Sequence, residues 1–455
     1  MRYTRLSHLA PLLLALCAPL AALANPFEHR LANGLRVIVK EDHRAPTAAH
    51  MVWYRAGSMD EKNGTTGVAH VLEHMMFKGT PSAGPGEFNR RVAAAGGRDN
   101  AFTSRDYTAY FQQVPKQKLE EMIQLEADRM RHLSLDAKEF AQEIKVVMEE
   151  RRLRTDDQPQ SMLFEQMSGV AFQSHPYRVP IVGWMNDLEN MTVHDAREWY
   201  ERWYVPNNAY VVIVGDVEHQ QVFKLAEKYY GPLKARDLPA RKPQDEPAQV
   251  GIRRLTVKAP ADLPVVLMAY KVPVIRDVEK DSDPYALEML SAILDGHDAA
   301  RFSKHLIREQ RLAVAAGVGY DTTARGPGMF YVQGSPSAGK TPLELEAGFR
   351  AELAGIQKDG VTAEELTRAR AQLVAGQIYK LDSMFGQAME IGQLESAGIS
   401  HRLDRRMIEK LQAVTAEQVQ AVAQKYLRDD ALTVAELDPQ PLPQTPRPRA
   451  AAPRH

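Results

Sequence analysis

Cysteine is all but missing from this sequence: the single instance in 455 residues, Cys17, lies in an N-terminal apolar run. One cysteine cannot close an intrachain disulfide, and outside that run any metal site must use nitrogen and oxygen ligands. An excess of charge of either sign is missing as well, since 57 Lys and Arg stand against 58 Asp and Glu. Without a broad positive field, the chain is not expected to seek nucleic acid or an anionic membrane surface. Beyond the N-terminal run, no stretch reaches the roughly 20 apolar residues that a bilayer-spanning helix needs. What is present is ordinary for a globular protein: 44% hydrophobic and 25% charged residues, in a chain long enough for two or more cores.

Arg2 and Arg5 precede an apolar run from Leu9 through Leu23, and Ala22-Leu23-Ala24 fits a small-x-small cleavage pattern. Residues 1–24 therefore read as a secretion signal, with Asn25 as the mature start; Pro11 and Pro19 interrupt a run already short for a membrane anchor. The expected protein is secreted, and periplasmic if the organism is a Gram-negative bacterium. Residues 236–248 are rich in proline and charge without apolar periodicity and read as an exposed linker between domains at 25–235 and 249–437. Residues 438–455, with several prolines and arginines, read as a disordered tail.

Both halves share a coarse pattern. Strands are expected over 34–40, 49–54 and 210–214 in the first half and over 265–270 and 329–333 in the second. Helical spacing is read over 70–77, 116–132, 137–154 and 193–203, then over 285–294, 343–358, 363–380 and 416–427. Strands and helices interleave without strict alternation, which favours a duplicated α+β domain over a doubly wound parallel sheet.

Chemistry is concentrated in His70-Val71-Leu72-Glu73-His74. On a helix His70, Glu73 and His74 share a face, so the two imidazoles can chelate one ion while the carboxylate stands beside it. Zinc suits such donors and keeps a position for water, from which Glu73 can take a proton. In a chain with 14 histidines, this five-residue pattern arises by chance about 3 times in 100. A third ligand from another helix makes the signal stronger, and Met148-Glu149-Glu150 supplies one. Glu143 lies two turns before Glu150 on the same face, placed to orient a ligand or balance charge, or else to be a solvated surface residue.

With Gly67-Val68-Ala69, Phe77-Lys78-Gly79-Thr80, Asn100-Ala101-Phe102-Thr103, His175-Pro176-Tyr177 and Tyr204-Val205-Pro206-Asn207-Asn208, the set resembles the pitrilysin-type metallopeptidases of family M16, the inverted zincins. The resemblance spans about residues 26–435 and is to the short branch with two repeats per chain, similar to bacterial and mitochondrial processing-peptidase subunits. It implies two homologous domains, each a mainly antiparallel sheet packed with helices, and two such units closing around a chamber that admits peptides or unfolded segments. It also implies one zinc ion per chain on His70, His74 and Glu150, with Glu73 as general base. Asn100 and Ala101 become candidates for gripping substrate backbone on an edge strand. Phe77 becomes a candidate for lining an apolar subsite, with core packing as the alternative.

One segment departs from the family pattern. Members that act alone carry an arginine and a tyrosine seven apart that stabilise the oxyanion; here Arg308 matches, but the tyrosine position is Ala315. Two assemblies follow: a heterodimer in which a homologous subunit supplies the Arg/Tyr pair, or a homodimer in which Tyr320 substitutes. The first is favoured, because losing an oxyanion donor costs about 2.7–4 kcal/mol of transition-state stabilisation. A catalytically weak peptide-binding or assembly subunit is the rival function, and a zinc hydrolase of small molecules a third.

Overall fold

The computed structural model describes residues 26–442; the expected secretion signal and the last part of the expected tail lie outside them. The strands among these residues are β1 (Phe27–Arg30), β2 (Arg36–Glu41), β3 (Thr47–Tyr54), β4 (Arg98–Thr103), β5 (Thr108–Pro115) and β6 (Ala209–Gly215), then β7 (Arg253–Pro260), β8 (Val265–Val272), β9 (Ala313–Tyr320), β10 (Gly328–Pro336) and β11 (Leu432–Gln440). They form two sheets, ordered β1-β2-β6-β3-β5-β4 and β7-β11-β8-β10-β9. Without β1, the two orders superpose strand for strand. The single parallel pair also recurs, β2 with β6 in one sheet and β7 with β11 in the other. The chain is thus the duplicated α+β fold that the residue pattern led us to expect.

Central strands are buried along almost their whole length: β6 at every residue and β3 at all but its first. Such strands need cover on both faces. One face of the first sheet packs against helices of its own half, among them Val68–Met75 through Val71, Leu72 and Met75, and Val193–Trp203 through Ala196, Trp199 and Trp203. The opposite face is covered by a helix from the other half. Met384–Ser396 lays Ala388 and Ile391 on Met51, Trp53 and Val212. Reciprocally, Pro159–Ala171 from the first half lays Leu163, Met167 and Ala171 on Val257, Leu267 and Ala435 of the second sheet. The halves are therefore joined by two exchanged helices as well as by the chain, each buried side chain of this size contributing about 1.5–3 kcal/mol.

Two residues, Gly392 and Glu395, pin the exchanged helix Met384–Ser396. Gly392 lies flat on the Trp53 indole, so close that an added Cβ would meet ring atoms at 2.1 Å, and its carbonyl accepts the Tyr210 hydroxyl at 2.7 Å. Glu395, in the last turn, accepts from Arg36 Nη1 at 2.6 Å and pairs with His401 Nδ1 at 2.7 Å.

Three expectations need adjustment. Asp438, Pro439 and Gln440 are not tail but the end of β11, paired with Lys258, Ala259 and Pro260 of the neighbouring strand. Residues 236–248 carry no regular structure, yet they are not a free spacer. Arg241 Nε bonds Asp60 Oδ1 at 2.8 Å, while Glu246 pairs with Lys271 at 2.6 Å and accepts the Gln173 and His175 amides. The helix expected over 137–154 is α-helical over Ala137–Arg151 and then opens into a π-helical turn, Arg152–Asp156.

Replacing Gly392 with valine is expected to force the exchanged helix off Trp53 and cost about 1–3 kcal/mol of stability, read from the urea midpoint. Burial alone would raise the Glu395 carboxyl, but hydrogen bonds from His401 and Arg36 outweigh it and hold it down at about 2. Its contribution to stability is therefore complete above the unfolded value of about 4.3 and lost as pH falls through 2. Glu395→Gln should flatten that acid limb of the stability profile.

Candidate metal centre

The motif helix Val68–Met75 is entered through Gly67 at φ +89°, where a Cβ would meet the Val182 carbonyl at 2.5 Å, so only glycine fits. Glu61 accepts the Gly67 and Ala69 amides at 2.8 and 2.9 Å, satisfying donors that a helix start leaves bare. All eight residues of the helix are buried. The Glu150 helix, Ala137–Arg151, begins at Asp136, whose carboxylate accepts the Lys138 and Glu139 amides.

These two helices bring three predicted ligands together. Glu150 Oε2 lies 3.3 Å from His74 Nε2 and 3.7 Å from His70 Nε2. One ligand atom from each of the three residues can be chosen so that all lie within 4.8 Å of one another. Atoms bound about 2.1 Å from a tetrahedral zinc ion are about 3.4 Å apart, so the spacing suits that ion. Glu150 Oε2 is buried and accepts no hydrogen bond, although its partner Oε1 is held by Arg154 at 2.5 Å. Glu143 Oε1 bonds His74 Nδ1 at 2.8 Å, and Glu143 Oε2 is held by Lys78 at 2.5 Å. With Nδ1 donating to that carboxylate, His74 Nε2 is left as a lone-pair donor facing Glu150.

Charge completes the fit. With both imidazoles neutral, Glu73, Glu143 and Glu150 outnumber Lys78 and Arg154. Burial works against a charged His74, but the Glu143 and Glu150 carboxylates beside it push it up to about 9. Burial likewise opposes ionised Glu150, yet the two histidines hold it down to about 2. A cluster that draws in protons this strongly is short of positive charge, which a bound cation supplies.

Glu73 shares the face with the ligands. Burial pushes its carboxyl up to about 7, against a hydrogen bond from the Thr103 hydroxyl. The cluster floors a cleft of about 420 Å³, with Asn100 to Thr103 of edge strand β4 on one side and Pro180 to Val182 on the other. Asn100 and Ala101 are thus in the cleft, and the Ala101 amide donates to Asn100 Oδ1 at 2.9 Å.

Other candidates fall elsewhere. Phe77 is not among the cleft-lining residues; it is half-buried against Phe88 and Tyr110, with the Arg129 guanidinium over its ring, so its subsite role gives way to core packing. Arg308 is exposed on a π-helical turn, Phe302–Glu309, and Ala315 is exposed on edge strand β9. Tyr320 donates its hydroxyl to the Pro273 carbonyl at 2.6 Å. Thr103 and Arg154 were not singled out from sequence. Arg154 had a signal available, its i,i+4 spacing from Glu150; Thr103 meets Glu73 only through tertiary structure.

A family profile described as Insulinase (Peptidase family M16) matches residues 36–183, and one described as Peptidase M16 inactive domain matches residues 190–373. The zinc protease PqqE of Helicobacter pylori is 35% identical over 358 residues, 78% of this chain and 79% of that protein. The chain belongs to peptidase family M16. A crystal structure of a protease from Helicobacter pylori superposes on this M16 chain with a TM-score of 0.86 at 30% identity, covering 91% of this chain and 100% of that one. The mitochondrial-processing peptidase subunit beta of Lentinula edodes is 28% identical over 426 residues, 89% of this chain and 88% of that protein. Zinc is the metal implied by such relatives, and the nitrogen and oxygen donor set described above fits it.

Glu143→Gln, which weakens the hold on His74 without touching a ligand, is expected to lower zinc affinity about 10- to 100-fold. Competition with a chromophoric chelator measures it.

Proposed function

We propose that this chain is a zinc-dependent endopeptidase acting on peptides or unfolded segments, with one zinc ion per chain held by His70, His74 and Glu150 and with Glu73 as general base. The observation that carries this reading is Glu150 Oε2, buried without a hydrogen bond between two imidazole nitrogens. When bound there, zinc supplies Lewis acidity, polarising a peptide carbonyl and acidifying a water. Glu73 takes the proton from the attacking water and returns it to the leaving amine, a role suited to a carboxylate whose burial brings its proton affinity near neutrality. Thr103 steadies one carboxylate oxygen and leaves the other for that transfer. Substrate backbone adds to the free edge of β4, its carbonyl taking the Ala101 amide from the Asn100 side chain.

Oxyanion stabilisation is incomplete within the chain. Arg154 is the one Lys or Arg among the described residues lining the cleft, no tyrosine lines it, and the Arg154 guanidinium is engaged with Glu150. A homologous subunit carrying the Arg/Tyr pair completes the site in this reading. The Lentinula edodes relative is by name one subunit of its peptidase, which supports the pairing. A homodimer is the alternative, and in it the Tyr320 hydroxyl would have to leave the Pro273 carbonyl to which it donates. Residues 1–24 export the chain, to the periplasm in a Gram-negative cell.

Zinc analysis and turnover of an unstructured fluorogenic peptide, with and without a homologous partner subunit, test the reading. Wild type should hold one zinc and cleave, a chelator should stop cleavage, and Glu73→Gln should keep its zinc while losing about 10²–10⁴-fold in rate. Absence of zinc, or equal rates for wild type and variant, overturns the assignment; peptide binding without turnover in any assembly makes the chain a binding subunit.

A further inference from the structure

Glu150 divides its two carboxylate oxygens between two tasks. Oε2 is buried without a hydrogen bond and faces the imidazoles, 3.3 Å from His74 Nε2 and 3.7 Å from His70 Nε2. Oε1 is held by Arg154 Nη1 at 2.5 Å. The two partners sit in unlike surroundings, the Glu150 side chain being 3% exposed and that of Arg154 72%. An ion pair with one end so exposed to water adds little to stability. The contact therefore has little value to the fold as such, and its place is at the metal centre.

The backbone is bent to make it. The α-helix that carries Glu150 ends at Arg151, and Arg154 stands in the π-helical turn Arg152–Asp156. The Asp157 amide closes that turn on the Arg152 carbonyl at 2.7 Å. Turns of this width are rare and gather at functional positions. Buried groups hold this one in shape: the Arg151 guanidinium bonds Glu165 at 2.9 Å and also reaches Asp156 at 3.3 Å, so the residue before the turn is tied to the last residue in it. Arg154 thus hangs from a fixed backbone while its side chain lines the cleft.

A carboxylate can give a metal ion one oxygen or both. Two imidazoles and both oxygens of Glu150 would make four donor atoms, which fills a tetrahedral zinc site, whereas a catalytic zinc keeps one position for water. An oxygen that already accepts a short, charge-assisted hydrogen bond from a guanidinium has less charge left to give a metal. Arg154 on Oε1 therefore favours ligation through Oε2 alone.

We propose that Arg154 is a positioning residue that restricts Glu150 to one-oxygen ligation and so keeps the fourth position of the zinc site for water. The proposal rests on the reading of His70, His74 and Glu150 as zinc ligands. It also carries a sign. A guanidinium beside a metal site repels the ion, so its removal should not weaken binding, in contrast to loss of Glu143.

Crystals of the full-length protein loaded with zinc, as wild type and as Arg154→Met, test this without any turnover. Wild type should show one Glu150 oxygen about 2.0–2.2 Å from the ion and a water on it; in Arg154→Met the second oxygen should close on the ion. Competition with a chromophoric chelator should find zinc held by Arg154→Met at least as tightly as by wild type. With cobalt(II) in place of zinc, the visible bands should change in Arg154→Met and return in Arg154→Lys, which restores a cation to Oε1. Arg152→Met, which removes the same charge from the same turn but from a residue paired with Glu149, should leave the bands as they are. One-oxygen ligation kept in Arg154→Met, zinc affinity reduced as for Glu143→Gln, or the same spectral change from Arg152→Met overturns the role. Wild type that takes up no zinc overturns the peptidase reading and this role with it, whereas zinc-loaded wild type and an unchanged Arg154→Met site overturn this role alone.

Discussion

Three ligand atoms from two helices can share one ion only if the helices hold their separation to within a few tenths of an ångström. Much of the first half serves that constraint. Asp187 Oδ2 gathers the Gly64 and Thr66 amides at 3.1 Å and the Thr66 hydroxyl at 2.6 Å, fixing the loop that leads into the motif helix. Arg151, the residue after Glu150, is locked by Glu165 at 2.9 Å and by the Gly183 carbonyl at 2.8 Å. The segment opposite β4 in the cleft is thereby tied to the helix that bears the third ligand. Position, charge and access at the cluster are set together.

The exchanged helices extend that coupling to the whole chain. Neither sheet can cover both of its apolar faces with helices from its own half, so each takes one from the other. A hinge between the halves would have to uncover Trp53 on one side and Leu267 on the other, a large apolar area to expose to water. The halves are therefore packed together as one unit.

Duplication then allows a division of labour. The same helix position carries a carboxylate in both halves, Glu73 beside the two imidazoles in one and Glu288 in the other, in the same strand framework. What differs is the neighbours: imidazoles and Glu150 line the cleft with Glu73, while Tyr285, Tyr320, Asp321 and Lys380 line the cavity with Glu288. A fold built twice thus presents two recesses with different linings.

How far the sequence could be followed depended on the range of the interaction involved. Helix-face spacing made His70, Glu73 and His74 legible as one site, and the central strands stood out because burial on both faces makes them continuously apolar, as in Tyr210 to Val214. The edge strands β4 and β9 were not visible in the residue pattern, where Arg98 to Thr103 and Ala313 to Tyr320 mix polar, small and exposed residues; only the family resemblance put Asn100 and Ala101 on an edge strand. The exchanged helices were missed for a related reason: Pro159–Ala171 and Met384–Ser396 are rich in methionine, glutamine and glycine and show only a weak apolar stripe. Sequence by itself determined that His70, Glu73 and His74 share one helix face and that the domain is doubled, because those signals are local periodicities of a helix or a strand. Only the tertiary structure decided that Glu150 meets the imidazoles and that Phe77 packs against the core, because each depends on what distant segments place within a few ångströms, and no local pattern encodes that distance.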